Sequence, residues 1–155
     1  MFAENYRELK IVNAEATAKR SFLFEKFVDD VLAREPTKGR FDERAESVAI
    51  HAHCHAKSIL NPVFMAQLIE RLPGRTAKML DTGCCGMAGA FGYETDKYGI
   101  SMACGERVLL PRVREASAET LILADGFSCR EQIEQATGCK TLHLAEVIRM
   151  ALRLR

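Results

Sequence analysis

The chain is organised around the segment LDTGCCGMAGAFG at residues 80–92. Two adjacent cysteines, Cys84 and Cys85, lie there among four glycines and directly follow a short apolar run. Glycine lets a backbone turn sharply or come close to a bulky group. Two thiols in this setting indicate a site that holds something large and soft, and the other cysteine-containing segments are interpreted from this one.

The composition is that of a globular domain. The chain has 155 residues, of which 48% are hydrophobic and 28% are charged, and this is enough for one core. The net charge is +1, with basic residues scattered among acidic ones, so we expect no nucleic-acid partner. No run approaches the roughly 20 apolar residues of a membrane span. The start shows no signal pattern, so we expect a cytoplasmic protein.

Six cysteines in a reducing compartment are better interpreted as ligands, redox groups or core residues than as a disulfide framework. Cys104 and Cys139 are interpreted as core residues because neither lies at a predicted strand end. Asp81 and Asp125 end predicted strands and are interpreted as turn caps. Since neither has a carboxylate partner nearby in sequence, acid–base catalysis is not expected.

Apolar spacing predicts an N-terminal helix over residues 1–36 and a polar loop over 37–46. We expect residues 1–46 to form a helix and linker that pack on a domain of residues 47–155. Short apolar runs predict strands at 47–51, 76–80, 120–124 and 140–142. Helices are predicted over 61–72, over 93–115 with a bend at Pro111, from Asp125 or Ser128 to 138, and over 145–154.

This alternation of strands and helices predicts βαβ units. The expected fold is therefore α/β, with a small, mainly parallel four-stranded sheet flanked by helices and preceded by the N-terminal helix. The carboxyl ends of parallel strands meet at one edge, where open α/β sheets bind ligands. Four cysteines directly follow predicted strands, and we expect them to converge at that edge as metal ligands: Cys54, Cys84, Cys85 and Cys129.

Each of these cysteines is also expected to precede or begin a helix, whose dipole favours the metal-binding thiolate. Four thiolates repel one another unless a cation lies between them, and an all-sulfur set suits an iron–sulfur cluster or zinc. Tetrahedral zinc usually recruits C-x-x-C pairs, and the chain contains none. Adjacent cysteines point in different directions, which favours a centre with several iron atoms.

Other residues are expected to line this centre. Glycines would bring backbone N–H groups close to cluster sulfurs, and histidines beside Cys54 would donate hydrogen bonds or act as ligands. The candidate cofactor-binding residues are Gly83, Gly86, Gly126, His53 and His55. His143 begins the last predicted helix near the same edge and is interpreted as a capped or solvent-exposed histidine, with a role as a ligand as the alternative.

Three segments, at residues 51–57, 81–93 and 124–130, resemble the cysteine-rich CCG domain of iron–sulfur oxidoreductases. That domain occurs in the iron–sulfur subunits of glycolate oxidase, lactate-utilisation and anaerobic glycerol-3-phosphate dehydrogenase systems, and in heterodisulfide reductase. The resemblance covers about residues 20–152. It is strongest for the carboxyl-terminal region of fused proteins that carry an FAD-linked oxidase domain and a ferredoxin-like segment.

The resemblance implies a [4Fe–4S]-type cluster on the four cysteines and electron relay from flavin to an acceptor, during oxidation of a 2-hydroxy acid such as glycolate or lactate. It implies FAD-binding and ferredoxin-like domains or subunits as partners, no activity of this chain alone, a homodimer when isolated, and contact with the inner membrane only through partners. FAD is expected on the partner, because no G-x-G-x-x-G opens a helix here.

The sequence departs from the family pattern in two ways. The terminal C-x-x-C of the family has Gly126 in place of its first cysteine, which leaves four candidate thiolates. Only one cysteine-rich half is present, so we expect the chain to belong to a longer polypeptide. Two alternatives stay open: a structural zinc domain that uses cysteines with His53, His55 or His143, and a thiol enzyme with Cys84 or Cys85 as nucleophile.

Overall fold

The fold is described by a computed structural model, which covers residues 8, 10–36, 39–59 and 61–153. Its centre is a sheet of four parallel strands in the order β2-β1-β3-β4. The strands are β1 (Glu46–His51), β2 (Arg75–Met79), β3 (Leu121–Ala124) and β4 (Thr141–Leu142). The predicted α/β fold with a parallel four-stranded sheet is confirmed.

Helices cover both faces of this sheet. They are α1 (Ala14–Lys19), α2 (Phe24–Arg34), α3 (Cys54–Ile59), α4 (Val63–Glu70), α5 (Tyr98–Glu106), α6 (Leu109–Arg114), α7 (Phe127–Thr137) and α8 (Leu144–Ala151), with one 3₁₀ turn at Phe91–Tyr93. Among the described residues, no helix combines the length and the apolar character that crossing a membrane requires.

The N-terminal helical region is divided. The prediction of one helix over 1–36 is wrong in its continuity, because α1 and α2 are separated at residues 20–23, while residues 1–7 and 9 lie outside the described part. The Ser21 hydroxyl donates to the Thr17 carbonyl at 2.9 Å and so helps to end α1. Helix α2 stops before Pro36, where the preceding residue has left the helical region.

The helical region after β2 is also divided. One bent helix over 93–115 is wrong, because α5 and α6 separate at Arg107 and Val108. The break precedes Pro111, which lies in the first turn of α6. A first-turn proline removes an N–H that would have no partner within the helix, so it fits there without a bend.

Residues that alternate along each strand build two cores. Val48, Ile50 and Leu123 face α2, α4 and α8 in a core dominated by aliphatic side chains. Ala49 and Ile122 face the opposite side, where α6, α7 and the loop after β2 cover them. This second core is the one that contains Cys85, Met87 and Cys129.

The strand order brings three loops together. Strand β1 lies between β2 and β3, so the ends of β1 and β3 are neighbours, with His51 opposite Ala124. The chain after β2 stays beside β1, since the Leu80 N–H donates to the Ile50 carbonyl at 2.8 Å. The loops after β1, β2 and β3 therefore all begin at one edge, at the point where strand order reverses.

Candidate metal centre

Two of the predicted ligands are in contact. The Cys129 thiol donates to Cys85 Sγ at 3.2 Å, although the two residues are 44 positions apart. Cys85 lies in the loop after β2, and Cys129 lies in the first turn of α7. Both side chains are buried, at 3% and 1% exposure. Chain topology thus brings these two sulfurs into contact in a part of the core that is almost closed to solvent.

The other two predicted ligands lie on the exposed side. Cys84 Sγ accepts the Gly86 N–H at 3.3 Å, and Cys54 begins α3 directly after β1. Partial burial raises the pKa of Cys84, the Gly86 N–H opposes that shift, and negative charge on Cys85 and Cys54 adds to it. All four cysteines therefore lie within electrostatic range at one end of the sheet.

The contact between Cys85 and Cys129 shifts the pKa values of the two thiols in opposite directions. The Cys129 S–H lowers the pKa of Cys85 well below its usual range, and His51 and the Met87 N–H contribute further. The pKa of Cys129 is raised by its hydrogen bond to Cys85 and by burial, and then by negative charge on Cys85, Cys54 and Cys84. The pair is thus a thiolate beside a thiol.

The predicted helix dipole is absent at two of the cysteines. Cys84 and Cys85 lie in the irregular segment 80–90, which no α-helix follows directly. The expectation that each cysteine precedes or begins a helix is correct for Cys54 and Cys129 and wrong for this pair. Local donors, not a helix N-terminus, account for the acidity of Cys85.

The three predicted glycines have different environments. Gly86 has φ +99°, and a Cβ there would lie 2.0 Å from the Ser101 carbonyl oxygen, so only glycine lets this loop pack on α5. A Cβ at Gly126 would lie 2.4 Å from the His53 ring and 3.0 Å from Cys129 Sγ. A Cβ at Gly83 would meet nothing within 4 Å.

The predicted histidines are also not equivalent. His53 lies over Gly126, and burial lowers the pKa of its imidazole. Its Nδ1 accepts the backbone N–H of the exposed residue His55 at 3.2 Å. His143 caps α8, with Nδ1 accepting the Ala145 N–H at 3.1 Å. The alternative assignment of His143 as a helix cap therefore describes its position.

A second polar cluster surrounds His143. Its Nε2 lies 3.8 Å from Glu25 Oε1 and 3.9 Å from Asp125 Oδ1, beside a cavity of about 190 Å³. Burial, followed by the charge of Glu25, raises the pKa of Asp125 to about 6. The sequence shows no carboxylate partner near Asp125 because Glu25 lies on α2, far upstream.

His51 is a site residue that the sequence-based prediction missed. It is the last residue of β1 and 1% exposed, and its Nδ1 lies 2.7 Å from Thr82 Oγ1. Its Nε2 is buried without a hydrogen-bond partner among the described residues. A signal was present in the sequence, because His51 follows Ala49 by two residues and so shares the face of β1 that carries the second core.

The spacing of the four thiols differs from that of a single-ion site. Zinc–sulfur bonds of about 2.3 Å in a tetrahedron hold the sulfurs within about 4 Å of one another. Among the described residues, only Glu25, Asp125 and His143 place three ligand atoms within 4.8 Å of one another, so no three cysteine sulfurs do. As a set, the sulfurs are therefore more widely spaced than those around one zinc ion, although Cys85 and Cys129 alone are 3.2 Å apart.

The two remaining cysteines differ from each other. Cys104 is exposed on α5, so its interpretation as a core residue is wrong. Cys139 is half-buried and packs against the second core, as predicted. A larger cavity, of about 450 Å³, lies beside β2 and α6 and is lined by none of the predicted site residues.

These features define the class: an α/β protein with a thiol-lined site at the carboxyl edge of its parallel sheet. The chain is similar to one subunit of the anaerobic glycerol-3-phosphate dehydrogenase of Escherichia coli (strain K12), with 30% identity over 105 residues, 68% of this chain and 26% of that protein. It is 34% identical over 104 residues to D-2-hydroxyglutarate dehydrogenase of Pseudomonas putida, covering 66% of this chain and 10% of that protein. The same enzyme of Pantoea ananatis is 30% identical over 95 residues, 60% of this chain and 9% of that protein.

The chain thus spans about a quarter of the length of the glycerol-3-phosphate dehydrogenase polypeptide and about a tenth of the D-2-hydroxyglutarate dehydrogenases. No family model matches it, and no solved structure matches it significantly. The relatives are oxidoreductases of greater length, and the similarity is to one part of each.

Proposed function

We propose that this chain is an iron–sulfur electron-transfer domain of a flavin-linked dehydrogenase. Cys54, Cys84, Cys85 and Cys129 would hold a [4Fe–4S]-type cluster, as in the CCG domain that the sequence resembles. The observation that carries the proposal is the convergence of these four thiols, from three separate loops, at one edge of the sheet. Similarity to parts of two kinds of dehydrogenase supports the same class of function.

The residues fit such a cluster by three criteria. The donors are all sulfur, which suits iron–sulfur chemistry. No three of the four sulfurs lie within 4.8 Å of one another, whereas the four sulfurs on a tetrahedral zinc ion lie within about 4 Å of one another. An N–H already points at one sulfur, from Gly86 to Cys84, as is typical of protein groups that tune cluster potentials.

Each part of the chain would have a distinct task. When bound, the cluster would accept and pass on single electrons. Cys85 and Cys129 would hold its buried side, and loading would release the Cys129 proton, because metal ligands are thiolates. Without a cation, two negative charges at this contact repel each other, which is why Cys129 keeps its proton. Cys54 and Cys84 would hold the exposed side, where a redox partner can approach.

The substrate class would come from the partner domain. The names of the relatives specify glycerol-3-phosphate and 2-hydroxyglutarate, and both molecules carry a secondary alcohol. We propose that an FAD-binding partner in the cytoplasm oxidises an alcohol, such as the 2-hydroxyl group of a 2-hydroxy acid of the lactate or glycolate type. Two electrons would then pass through this chain and a ferredoxin-like segment, so the chain alone would not turn over substrate.

The test is the metal content of the chain prepared and reconstituted without oxygen. We expect about four irons and four sulfides per chain, with an EPR signal on reduction. Cys85→Ser and Cys129→Ser should lose most of the iron. Cys104→Ser, at an exposed cysteine outside the site, is the matched control and should keep it.

Two results would contradict the proposal. One is a folded wild-type chain that takes up no iron, and the other is a Cys85→Ser variant that keeps full iron and sulfide. One zinc per chain without iron would indicate the structural zinc domain instead. Circular dichroism of each variant separates loss of the ligand from loss of the fold.

A thiol-redox function is the second candidate, and the contact of Cys85 with Cys129 favours it. The Cys85 thiolate would attack a small disulfide and release one thiolate. Cys129, after losing its proton, would attack the mixed disulfide, release the second thiolate and leave a Cys85–Cys129 disulfide. Iron-free chain that oxidises a small dithiol through a small disulfide at rates unaffected by chelators would select this function.

A further inference from the structure

A buried imidazole nitrogen lies beside the thiol site and has no task in the cluster binding proposed above. His51 has one satisfied ring nitrogen, Nδ1, beside the Thr82 hydroxyl. Its other nitrogen, Nε2, is buried and has no hydrogen-bond partner among the described residues. A buried polar atom without a partner is unfavourable, so the group that this nitrogen faces needs an explanation. His51 lies on the same face of β1 as Ala49, whose core cluster contains Cys85, and His51 contributes to the lowered pKa of that thiol.

The backbone that carries Thr82 is held firmly in place. The Thr82 N–H donates to the Leu80 carbonyl at 2.9 Å, and Lys57 Nζ on α3 donates to the Thr82 carbonyl at 2.6 Å. His51 itself ends β1, opposite Ala124 of β3. The imidazole is therefore fixed between two strand ends and one anchored loop, and it is not free to turn toward solvent.

The orientation of the ring proton follows from the neighbours. A neutral imidazole has one N–H and one lone pair. If Nδ1 carried the proton, the lone pair of Nε2 would face a sulfur that is negative as a thiolate and negative as a metal ligand. If the Thr82 hydroxyl donates to Nδ1, the proton lies on Nε2 and faces that sulfur. The second arrangement satisfies both nitrogens, so electrostatics favours it.

We propose that His51 is a positioning residue that donates its Nε2–H to the sulfur of Cys85, that Thr82 fixes this tautomer, and that the pair raises the reduction potential of a cluster held there. The last part rests on the proposed function. Reduction adds negative charge to a cluster and its sulfurs, and an N–H directed at a ligand sulfur stabilises that charge. Loss of the donor should therefore make reduction harder.

The first readout needs no cluster. ¹⁵N NMR of the reduced, metal-free full chain reports which imidazole nitrogen of His51 carries the proton. We expect the Nε2–H tautomer in the wild type and a mixture of tautomers in Thr82→Val. Thr76→Val, an exposed position on β2, is the matched control and should leave the His51 signals unchanged. A wild type with the proton on Nδ1 overturns the proposal.

The second readout is the midpoint potential of the reconstituted chain. His51→Leu and Thr82→Val should both shift it to more negative values, and His51→Gln, which restores an N–H donor, should recover part of the shift. Equal potentials in the wild type and Thr82→Val, at equal iron content, overturn the assignment. Thr82→Val keeps the side-chain shape, so it decides the question even if His51→Leu does not fold.

Failure of the two proposals can be told apart. A wild-type chain that takes up no iron overturns the proposed function and the effect on the potential together. The tautomer measurement still decides whether His51 faces Cys85 with a proton. An iron-loaded chain with an unchanged potential in Thr82→Val overturns the role of His51 alone.

Discussion

The two ends of the sheet differ in how completely their buried polar groups are paired with other groups of the chain. At the amino end, the Arg75 guanidinium is 1% exposed and fully surrounded by acceptors. It donates to Asp42 Oδ1 at 2.8 Å and to Glu46 Oε2 at 3.1 Å. The carbonyl of Pro73 lies within hydrogen-bond distance as well. The chain itself supplies every partner that this charge needs.

The carboxyl end leaves such groups incompletely matched. His51 Nε2 has no hydrogen-bond partner among the described residues. The sulfurs of Cys85 and Cys129 are in contact, and the carboxylate of Asp125 lies near that of Glu25. A buried charge with complete partners is typical of structure, whereas clustered groups with shifted pKa values are typical of a functional site. The comparison therefore favours the carboxyl end of the sheet over the amino end as the candidate functional site.

The largest expected effect is at the amino end. Arg75→Ala should lower the free energy of unfolding by about 3 kcal/mol, because Glu46 and Asp42 lose their buried cation and are left with the exposed and more distant Arg44. Urea denaturation followed by circular dichroism measures it. Arg112→Ala, which breaks an exposed pair with Glu115, is the control and should change stability much less. Equal midpoints for the two variants would remove the contrast between the sheet ends.

A smaller effect is expected in the loop that carries the cysteines. Gly86→Ala should cost about 2 kcal/mol, because φ is +99° and the new Cβ would meet the Ser101 carbonyl. Gly83→Ala, in the same loop, introduces a Cβ into open space and should be close to neutral. Thermal unfolding of both variants tests the difference. A Gly86→Ala variant as stable as the wild type would show that the packing of this loop on α5 does not require glycine.

The smallest effect concerns the pH dependence of stability. A carboxyl whose folded pKa is about 6, above its usual 3.8, binds its proton more tightly in the folded state. That contribution is present below about pH 4 and is lost as the pH rises through about 6. Asp125→Asn should therefore be more stable than the wild type by about 1 kcal/mol at pH 7.5, and this difference should shrink toward pH 4.

Urea denaturation of both proteins at pH 4, 6 and 7.5 measures this difference. Asn keeps an oxygen that can accept the Leu144 N–H, so the variant removes the charge and leaves the cap in place. A variant that is less stable than the wild type at pH 7.5 would show that burial and the charge of Glu25 do not destabilise the Asp125 carboxylate. The carboxyl end would then resemble the amino end, where the buried charge has favourable partners.

Local patterns in the sequence predicted most of the fold. Every boundary of the four predicted strands lies within one residue of the observed one, because a strand is marked by a short apolar run between turn residues, which is a local pattern in the sequence. Both division points in the helical regions were missed. They depend on the Ser21 hydroxyl, which bonds to the backbone, and on the place of Pro111 in a first turn. Such details decide where a helix stops without changing its apolar spacing.

The candidate site was predictable only as a neighbourhood. In a parallel sheet built from alternating strands and helices, Cys54, Cys84, Cys85 and Cys129 must lie at one edge. The order of elements read from the sequence is enough to predict this. The pattern does not say which sulfurs touch. Contact between Cys85 and Cys129 depends on how the loop at residues 80–90 packs on α5, through Gly86 and the Ser101 carbonyl.

The amino-acid order alone was therefore sufficient for the α/β class, the parallel sheet and the shared edge, since each follows from short-range periodicity and the handedness of crossovers. Three-dimensional packing decided the thiol pair, the orphaned nitrogen of His51 and the meeting of Glu25 with Asp125. These last contacts join segments that are distant along the chain. Their geometry depends on side-chain packing and desolvation in the folded state, and no local pattern encodes either quantity.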